Sequence, residues 1–234
     1  MFTNYANAIN GRGGDLRFGG GLGYTFYLGN QMDYSLTSGF GNFDEYRVGQ
    51  SVGFYKPINN KWELGGFFRN TSMLTLKSKN TQGLECIFQD LQFSAQRSFN
   101  DNIDLSGEKF TINAQFGLGL ILFQSRYFTV NPITGNEITN FSTIGLGYQD
   151  GFNGTKNMPN KMAGITGCAG INFGFRVSRN INLYLENNLN LTTTNRLSGN
   201  LYKRSWIPTD GYWYSGVAVY IRLGRNADAC PRFY

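Results

Sequence analysis

The residues from Asp15 to Leu28, DLRFGGGLGYTFYL, set the pattern on which the predicted fold depends. The even positions carry the large apolar side chains, and the odd positions carry Asp, Arg, Gly, Thr and Tyr. Alternation of this kind predicts a β-strand with one apolar face. The stretch is more than twice as long as the strands of about five or six residues that are usual in globular proteins.

The same alternation recurs along the chain, which predicts about nine long strands in all. The other eight stretches are Met32 to Phe40, Tyr46 to Phe54, Trp62 to Leu76, Ile87 to Gln96, Phe110 to Leu122, Ile165 to Val177, Ile181 to Leu191 and Gly216 to Leu223. Strands of this length, tilted by about 40°, reach across a bilayer of about 30 Å.

The chain has no apolar run long enough for a transmembrane helix. The longest, Leu118 to Phe123, is interrupted by Gly119 and falls far short of the roughly 20 residues required. Backbone polar groups in lipid must be satisfied internally, so strands can cross only as a closed barrel. We therefore expect an all-β fold, a transmembrane antiparallel up-and-down β-barrel of 8 to 10 strands, at residues 15–224.

Two soluble folds compete with this prediction. A lipocalin-like barrel would point its apolar face inward, but about nine strands with several large apolar side chains each exceed what so small a barrel encloses. A two-sheet sandwich that buries the apolar faces between its sheets remains open as the soluble alternative.

Loop lengths indicate an orientation. Tight turns are predicted after strands one, three and seven, whereas Tyr127 to Lys161 and Thr194 to Asp210 are long and polar. Because outer-membrane barrels keep their long loops outside, strand one is predicted to run towards the periplasm. Residues 1–14 are then an N-terminal segment or a partial first strand, with Phe2 to Ile9 as the candidate strand, and residues 225–234 are a periplasmic tail.

Aromatic residues are expected to form a girdle at each membrane interface. The predicted periplasmic girdle contains Phe26, Tyr34, Phe54, Trp62 and Phe175, and the outer one contains Phe18, Phe40, Tyr46 and Trp213.

Composition argues against an enzyme. The chain has no His, which removes the usual general base of membrane-embedded hydrolases. The three Cys have no metal-ligand spacing and leave one unpaired, and the glycines from Gly19 to Gly23 lie inside a strand rather than in a phosphate-binding loop. We expect no cofactor, no metal and, because the basic residues behind the net charge of +6 are scattered, no nucleic acid partner.

The charged residues on the polar faces of the strands are the candidate site. We predict that they form a lumenal charge network made of Asp33, Glu63, Arg69, Arg176, Glu186 and Arg222. Their signs nearly balance, and buried charges need partners, so interlocked ion pairs that plug the barrel are favoured over a charged ion pathway. A selective pore would more naturally show an excess of one sign.

Tyr214 to Ile221, YSGVAVYI, resembles the terminal-strand signal of outer-membrane proteins, although the chain continues to Tyr234 instead of ending on an aromatic residue. The Gly-aromatic style of Phe18 to Leu28 and Gly216 to Gly224 resembles small Bacteroidetes outer-membrane barrels, namely OmpA-type barrel domains and accessory barrels of the type IX secretion and gliding apparatus. Unlike full OmpA proteins, the chain contains no peptidoglycan-binding domain.

These observations lead to a functional expectation. The resemblance implies a non-enzymatic structural or accessory subunit of a larger complex in the bacterial outer membrane. Its expected contacts are the lipid bilayer, lipopolysaccharide and other outer-membrane proteins. The alternative is a small porin that passes ions or small solutes.

Overall fold

The computed structural model describes residues 16–28, 47–59, 61–77, 82–99, 110–130, 137–145, 163–178, 180–194, 197 and 210–223. They form nine β-strands: β1 (Leu16–Leu28), β2 (Arg47–Pro57), β3 (Trp62–Lys77), β4 (Gln82–Ser98), β5 (Phe110–Val130), β6 (Glu137–Gly145), β7 (Ala163–Arg176), β8 (Ile181–Thr192) and β9 (Gly211–Leu223). Among the described residues, no helix is long and apolar enough to cross a membrane.

Eight of the strands close into an antiparallel barrel. Neighbours pair in the order β4, β3, β2, β1, β9, β8, β7, β5, and the pairing of β4 with β5 completes the circle. β6 is the additional strand, and it pairs only with Gln124–Val130, the outer part of β5. Closure through β4 and β5 excludes the open two-sheet sandwich and confirms the predicted barrel.

The apolar face of the wall points outward. Phe93 and Leu118 are each 69% exposed, and Leu22 is 60% exposed, whereas the alternate residues on the same strands point inward and are mostly buried. A soluble barrel would show the reverse arrangement, so the lipocalin-like alternative fails. So large an apolar surface needs lipid around it, and closed antiparallel barrels with such a band lie in the bacterial outer membrane.

Turn lengths orient the barrel in the membrane. Tight turns join β2 to β3 and β7 to β8, where the amide nitrogens of Ile58 and Val177 donate to the carbonyl oxygens of Trp62 and Ile181 at 2.9 and 3.0 Å. β1 begins at this same rim, because Arg17 pairs with Tyr55 near the end of β2. β9 ends there too, because Leu223 pairs with Leu16. Short turns face the periplasm in barrels of this kind, so we call this end the periplasmic rim.

The predicted direction of strand one is wrong. β1 starts at the periplasmic rim and runs outward, because it pairs directly with β2 from Arg17↔Tyr55 to Thr25↔Arg47. That pairing leaves no place in the wall for a strand between them. The predicted strand from Met32 to Phe40 and the predicted N-terminal strand from Phe2 to Ile9 both lie outside the described residues.

The wall is taller on one side than sequence periodicity predicted. β5 extends to Val130, and β6 occupies part of the stretch that was expected to be loop. Residues 70–77, 82–89, 122–130 and 137–145 form a four-stranded extension, which we call the projecting sheet. Its outward surface carries an ion pair in which Nε of Arg126 lies 2.6 Å from Oε2 of Glu85.

The aromatic residues follow the corrected direction of β1. Phe54, Trp62 and Phe175 lie at the periplasmic rim, as predicted. Phe18 lies there too, while Phe26 stacks on Trp213 at the outer end with ring centroids 6.2 Å apart. Phe18 and Phe26 therefore exchange the girdles to which they were assigned, whereas Tyr34, Phe40 and Tyr46 lie outside the described residues.

Candidate functional site: the lumen of the barrel

Inward-facing side chains fill the lumen in three layers. Each strand contributes alternate residues to this face, so one residue in two points inward and stacks with its counterparts on neighbouring strands. From the periplasmic rim outward, the layers are dominated by tyrosines, by charged and amide groups, and by apolar side chains.

The tyrosine layer lies nearest the periplasm and consists of Tyr55, Tyr184 and Tyr220 with Ala218. The ring of Tyr220 meets those of Tyr55 and Tyr184 edge-on, with centroid separations of 5.5 Å in both cases. Edge-to-face contacts are favourable for aromatic rings. The two ring contacts thus connect β2, β9 and β8 on the inner side of the wall.

Glycines make room for these rings. Gly65 lies directly opposite Tyr55 in the register, Gly19 opposite Tyr220, and Gly174 opposite Tyr184. A methyl group on Gly65 or Gly174 would meet the opposing ring, and on Gly19 it would also meet the backbone of Val219. An opposing glycine lets each tyrosine lie across its neighbouring strand.

Arg17 connects the tyrosine layer to the periplasmic rim. Its guanidinium forms an ion pair with Glu63 and donates a hydrogen bond to the hydroxyl of Tyr184. It also lies over the rings of Tyr184 and Tyr55, 5.2 and 5.9 Å from their centres. A guanidinium placed in this way combines charge pairing with cation–π attraction, so Arg17 joins β1 to β2, β3 and β8.

Glu186 is buried between the tyrosine layer and the next layer. The hydroxyl of Tyr220 donates to its Oε1 at 2.9 Å. Its negative charge also interacts with Arg69. A carboxylate that is 4% exposed needs both kinds of partner, because removal of a charge from water is costly.

The central polar layer, formed by Arg69, Asp90, Gln92 and Asn190, is organised around Arg69. Arg69 is 1% exposed and interacts electrostatically with Asp90 and Glu186. Its guanidinium lies 4.1 and 4.3 Å from the ring centres of Phe67 and Tyr214. One buried cation therefore faces two buried anions and two aromatic rings.

Asp90 provides the anionic side of the central polar layer. It is directly opposite Arg69 in the register of β3 and β4, and it accepts hydrogen bonds from Tyr212 and Gln92. The Gln92 amide also donates to Oδ1 of Asn190 at 3.0 Å. The layer is therefore cross-linked over β3, β4, β8 and β9.

The outer apolar layer closes the lumen beyond the central polar layer. It is one cluster of buried side chains: Tyr27, Met73, Leu84, Cys86, Phe88, Ile121, Phe123, Leu197, Tyr212 and Tyr214. The ring centroids of Phe88 and Tyr212 are 4.5 Å apart. This contact connects the layer to the hydrogen bond between Tyr212 and Asp90 in the central polar layer. The lumen therefore changes from polar to apolar along the axis of the barrel.

The structure places the predicted charge residues at different depths. Arg69 and Glu186 are buried and brought together, and Glu63 pairs with Arg17. Arg176 and Arg222 are half-buried on the inward face at the periplasmic ends of β7 and β9. Asp33 lies outside the described residues.

Two charges central to the lumen were not selected from the sequence. Arg17 and Asp90 both occupy the polar face of a predicted strand, so alternation alone placed them correctly. Their importance depends on which residues face them across the lumen, and pairing register determines that. A rule that selects every charged residue on a polar face would have found both.

The chemistry available to these groups is structural. The buried carboxylates and guanidinium groups are held by one another and by tyrosine hydroxyls, which suits a fixed network. Among the residues that the structure describes, no group of three or more His, Cys, Asp or Glu could hold a metal ion. The buried thiols of Cys86 and Cys168 are free.

Comparisons with known proteins return structures but no family. No family model and no curated protein matches the chain. Ail of Yersinia pestis, the attachment invasion locus protein, superimposes with a TM-score of 0.47 and 10% identity, covering 90% of this chain and 99% of Ail. Neisserial surface protein A superimposes with a TM-score of 0.45 and 10% identity, covering 90% of this chain and 99% of that protein. A major outer membrane protein of Thermus thermophilus superimposes with a TM-score of 0.44 and 9% identity, covering 89% of this chain and 99% of that protein. Likenesses this distant carry no argument about function, and the barrel assignment depends on the chain's own pairing and burial.

Proposed function

We propose that this chain is a non-enzymatic structural or accessory subunit of a larger outer-membrane complex, with a lumen that conducts neither ions nor solutes. The observation that carries the proposal is the filled lumen. A water-filled pore exposes its lining, whereas Arg69, Asp90, Gln92 and Tyr212 are at most 1% exposed. Since no ion or solute passes through the lumen, the barrel acts in the complex through its outer surfaces.

The charge balance of the lumen supports the same conclusion. The deeply buried charges of the described residues have both signs: Arg17 and Arg69 are cations, and Asp90, Glu186 and Asp210 are anions. Asp210 lies nearer the outer rim, where its Oδ1 accepts a hydrogen bond from the hydroxyl of Tyr27 at 2.6 Å. A selectivity filter presents an excess of one sign to the passing ion. Here Arg69 interacts with both Asp90 and Glu186, so charges of opposite sign neutralise one another and stabilise a closed wall.

The contact surfaces for partners are proposed to lie at the outer rim. The projecting sheet raises β3 to β6 above the remainder of the wall. The longest connections, residues 29–46, 146–162 and 195–209, also leave from this rim. Lipopolysaccharide and other outer-membrane proteins are the proposed partners at this rim, and lipid surrounds the apolar wall. Nucleic acid is not a proposed partner. The Gly-aromatic resemblance to Bacteroidetes accessory barrels favours a complex of the secretion or motility type.

Native size tests the accessory role. Outer membranes of the source cell, solubilised in mild detergent, should yield the chain in a particle larger than the purified barrel on native gels. Replacement of residues 198–207 by a short Gly-Ser linker should release it, whereas the same linker inserted at the 58–61 turn on the opposite rim should not. Migration of the wild type as a lone barrel would contradict the accessory role.

Solute uptake separates this proposal from a small porin. Proteoliposomes that contain the wild-type barrel should not swell in iso-osmotic sugars or amino acids, because the side chains of the central polar layer are at most 1% exposed. Swelling at a rate that depends on solute size would establish the porin and exclude the closed scaffold.

A further inference from the structure

The outward face of β2 to β4 ends at the periplasmic rim in a group of basic side chains. Lys56, Lys61 and Arg97 are all exposed there. Arg97 is directly opposite Trp62 in the register, and its guanidinium lies 5.8 Å from the centre of the indole ring. We call Lys56, Lys61, Trp62 and Arg97 the basic interfacial patch.

The turn beneath this patch is fixed by a side chain. Oδ1 of Asn59 accepts hydrogen bonds from the amide nitrogens of Lys61 and Trp62, at 2.9 and 2.8 Å. The amide nitrogen of Ser98 donates to the carbonyl oxygen of Lys61 at 2.8 Å, which ties the end of β4 to the same turn. These hydrogen bonds hold Lys61 and Trp62 in place and connect their turn to the end of β4, next to Arg97.

The patch lies where the apolar band of the wall ends. Immediately further into the membrane, on the same outward face, Phe54, Leu64 and Phe93 are between 45 and 69% exposed. Acyl chains cover those residues, so lipid headgroups lie level with the patch. Trp, Lys and Arg favour this depth, because each has an apolar part for the lipid and a polar tip for the headgroups.

The opposite wall lacks this feature. Among the described residues, the outward positions at the periplasmic ends of β7, β8, β9 and β1 are apolar, including Phe175, Ile181, Leu223 and Leu16. Arg176 and Arg222 are on the alternate, inward positions. Glu63, the acidic residue next to Trp62, also faces inward and pairs with Arg17. Within the described part of this rim, the exposed positive charge of the lipid-facing surface is therefore on the side of β2 to β4.

We propose that the basic interfacial patch binds the phosphate headgroup of an anionic phospholipid in the inner leaflet of the outer membrane. Lys56 on β2 and Arg97 on β4 supply charge to the phosphate from either side of β3, and Trp62 on β3 packs against the glycerol and upper acyl region. A lipid is the occupant because the patch continues the lipid-facing band without a break. A peripheral acidic protein would have to displace the headgroups first.

Trp62 itself reports on the site. In a Trp206→Phe/Trp213→Phe variant it is the only tryptophan, and bromine on a nearby acyl chain quenches its fluorescence. At equal mole fraction, brominated phosphatidylglycerol should quench Trp62 more strongly than brominated phosphatidylcholine. Each basic residue near an anionic surface changes affinity by about fivefold, so we expect a relative affinity of roughly tenfold or more for the anionic lipid.

Matched variants assign the effect to the patch. Lys56→Gln/Arg97→Gln should abolish the difference between the two lipids, whereas Arg176→Gln/Arg222→Gln, which removes the same charge from the lumenal mouth, should preserve it. Heat-modifiable migration on gels verifies that each variant is folded. A single-tryptophan variant that retains only Trp213, made by Trp62→Phe/Trp206→Phe, should show no preference, because that residue lies at the other rim.

Two results would overturn the proposal. One is equal quenching by both lipids in the Trp206→Phe/Trp213→Phe variant, in which the basic interfacial patch is intact. If Asp101→Asn/Asp104→Asn/Glu108→Gln, which neutralises the acidic residues of the β4–β5 connection, then created a preference, the chain's own carboxylates would be the occupant. The other is an equal loss of preference in the two arginine-containing double variants, which would reduce the effect to overall charge.

Discussion

The central polar layer and the outer apolar layer fill one lumen by different physics. Around Arg69, closure depends on the direction and charge of a few groups, so the loss of one group leaves others buried without a partner. Around Phe88, closure depends on volume, so the loss of one side chain leaves a cavity that its neighbours still surround. Substitutions in the two layers that cause similar losses of stability should therefore have different effects on permeability.

Arg69→Met should have the largest effect of the changes considered. It removes the cation between Asp90 and Glu186 while filling similar space, and breaking a buried pair from one side costs about 3–5 kcal/mol. The free energy of unfolding in urea, measured in lipid vesicles, checks this value. Arg69→Met/Asp90→Asn/Glu186→Gln removes the orphaned charges and should restore most of the loss. A single variant within the error of the wild type would contradict the central role of Arg69.

Phe88→Ala should destabilise the barrel by about 3 kcal/mol, in the range for deletion of a buried aromatic ring, without opening a path for ions. The same unfolding assay measures the loss. Phe93→Ala is the matched control, because Phe93 is on the same strand and 69% exposed to lipid. The loss of stability caused by Phe93→Ala should be clearly smaller than that caused by Phe88→Ala. Ion leakage through Phe88→Ala would show that the apolar layer, rather than the polar one, forms the seal.

Gly65→Ala should cost about 1–3 kcal/mol, as overpacking usually does. The added methyl group would collide with the carbonyl oxygen of Phe54 and the ring of Tyr55. Gly167→Ala is the control on the lipid-facing side, where the nearest atom, Cδ2 of Leu118, would be 3.5 Å away. The same unfolding assay measures the loss, and the near-ultraviolet circular dichroism of the tyrosines should change only for Gly65→Ala. Equal stability of Gly65→Ala and Gly167→Ala would show that the tyrosine layer does not require a glycine opposite Tyr55.

Arg126→Gln should have the smallest effect. Its ion pair with Glu85 lies on the outward surface of the projecting sheet, where a pair contributes about 0.2–1 kcal/mol. A double-mutant cycle with Glu85→Gln isolates this pair from the contact that Arg126 also makes with the ring of Phe128. A coupling free energy as large as that of the lumenal charges would contradict the distinction between surface and lumen.

Period-two alternation was sufficient to predict the barrel and its lipid-facing surface. It was least regular over β4, and the structure explains why. The inward face of β4 is polar from Asp90 to Gln96 but apolar from Leu84 to Phe88, where it enters the outer apolar layer. Because Ile87 and Leu91 face outward on the same strand, apolar residues occur on both faces and the pattern weakens.

Pairing could not be predicted in the same way. The stretch from Met32 to Phe40 alternates well, yet β1 pairs directly with β2, and only the register between strands decides that. The misassigned direction of β1 followed from this one stretch. With β1 reversed, Arg17 comes to the periplasmic rim beside Glu63, so the error in direction also hid a main contact of the lumen.

Single-channel recording in planar bilayers measures whether the lumen is closed to ions. The wild type should be silent at voltages at which the barrel stays folded, whereas Arg69→Ala and Glu186→Ala should show ion conductance, since each removes part of the central network. Phe88→Ala serves as the comparison and should remain silent. Steady conductance through the wild-type barrel would show that the lumen is open to ions.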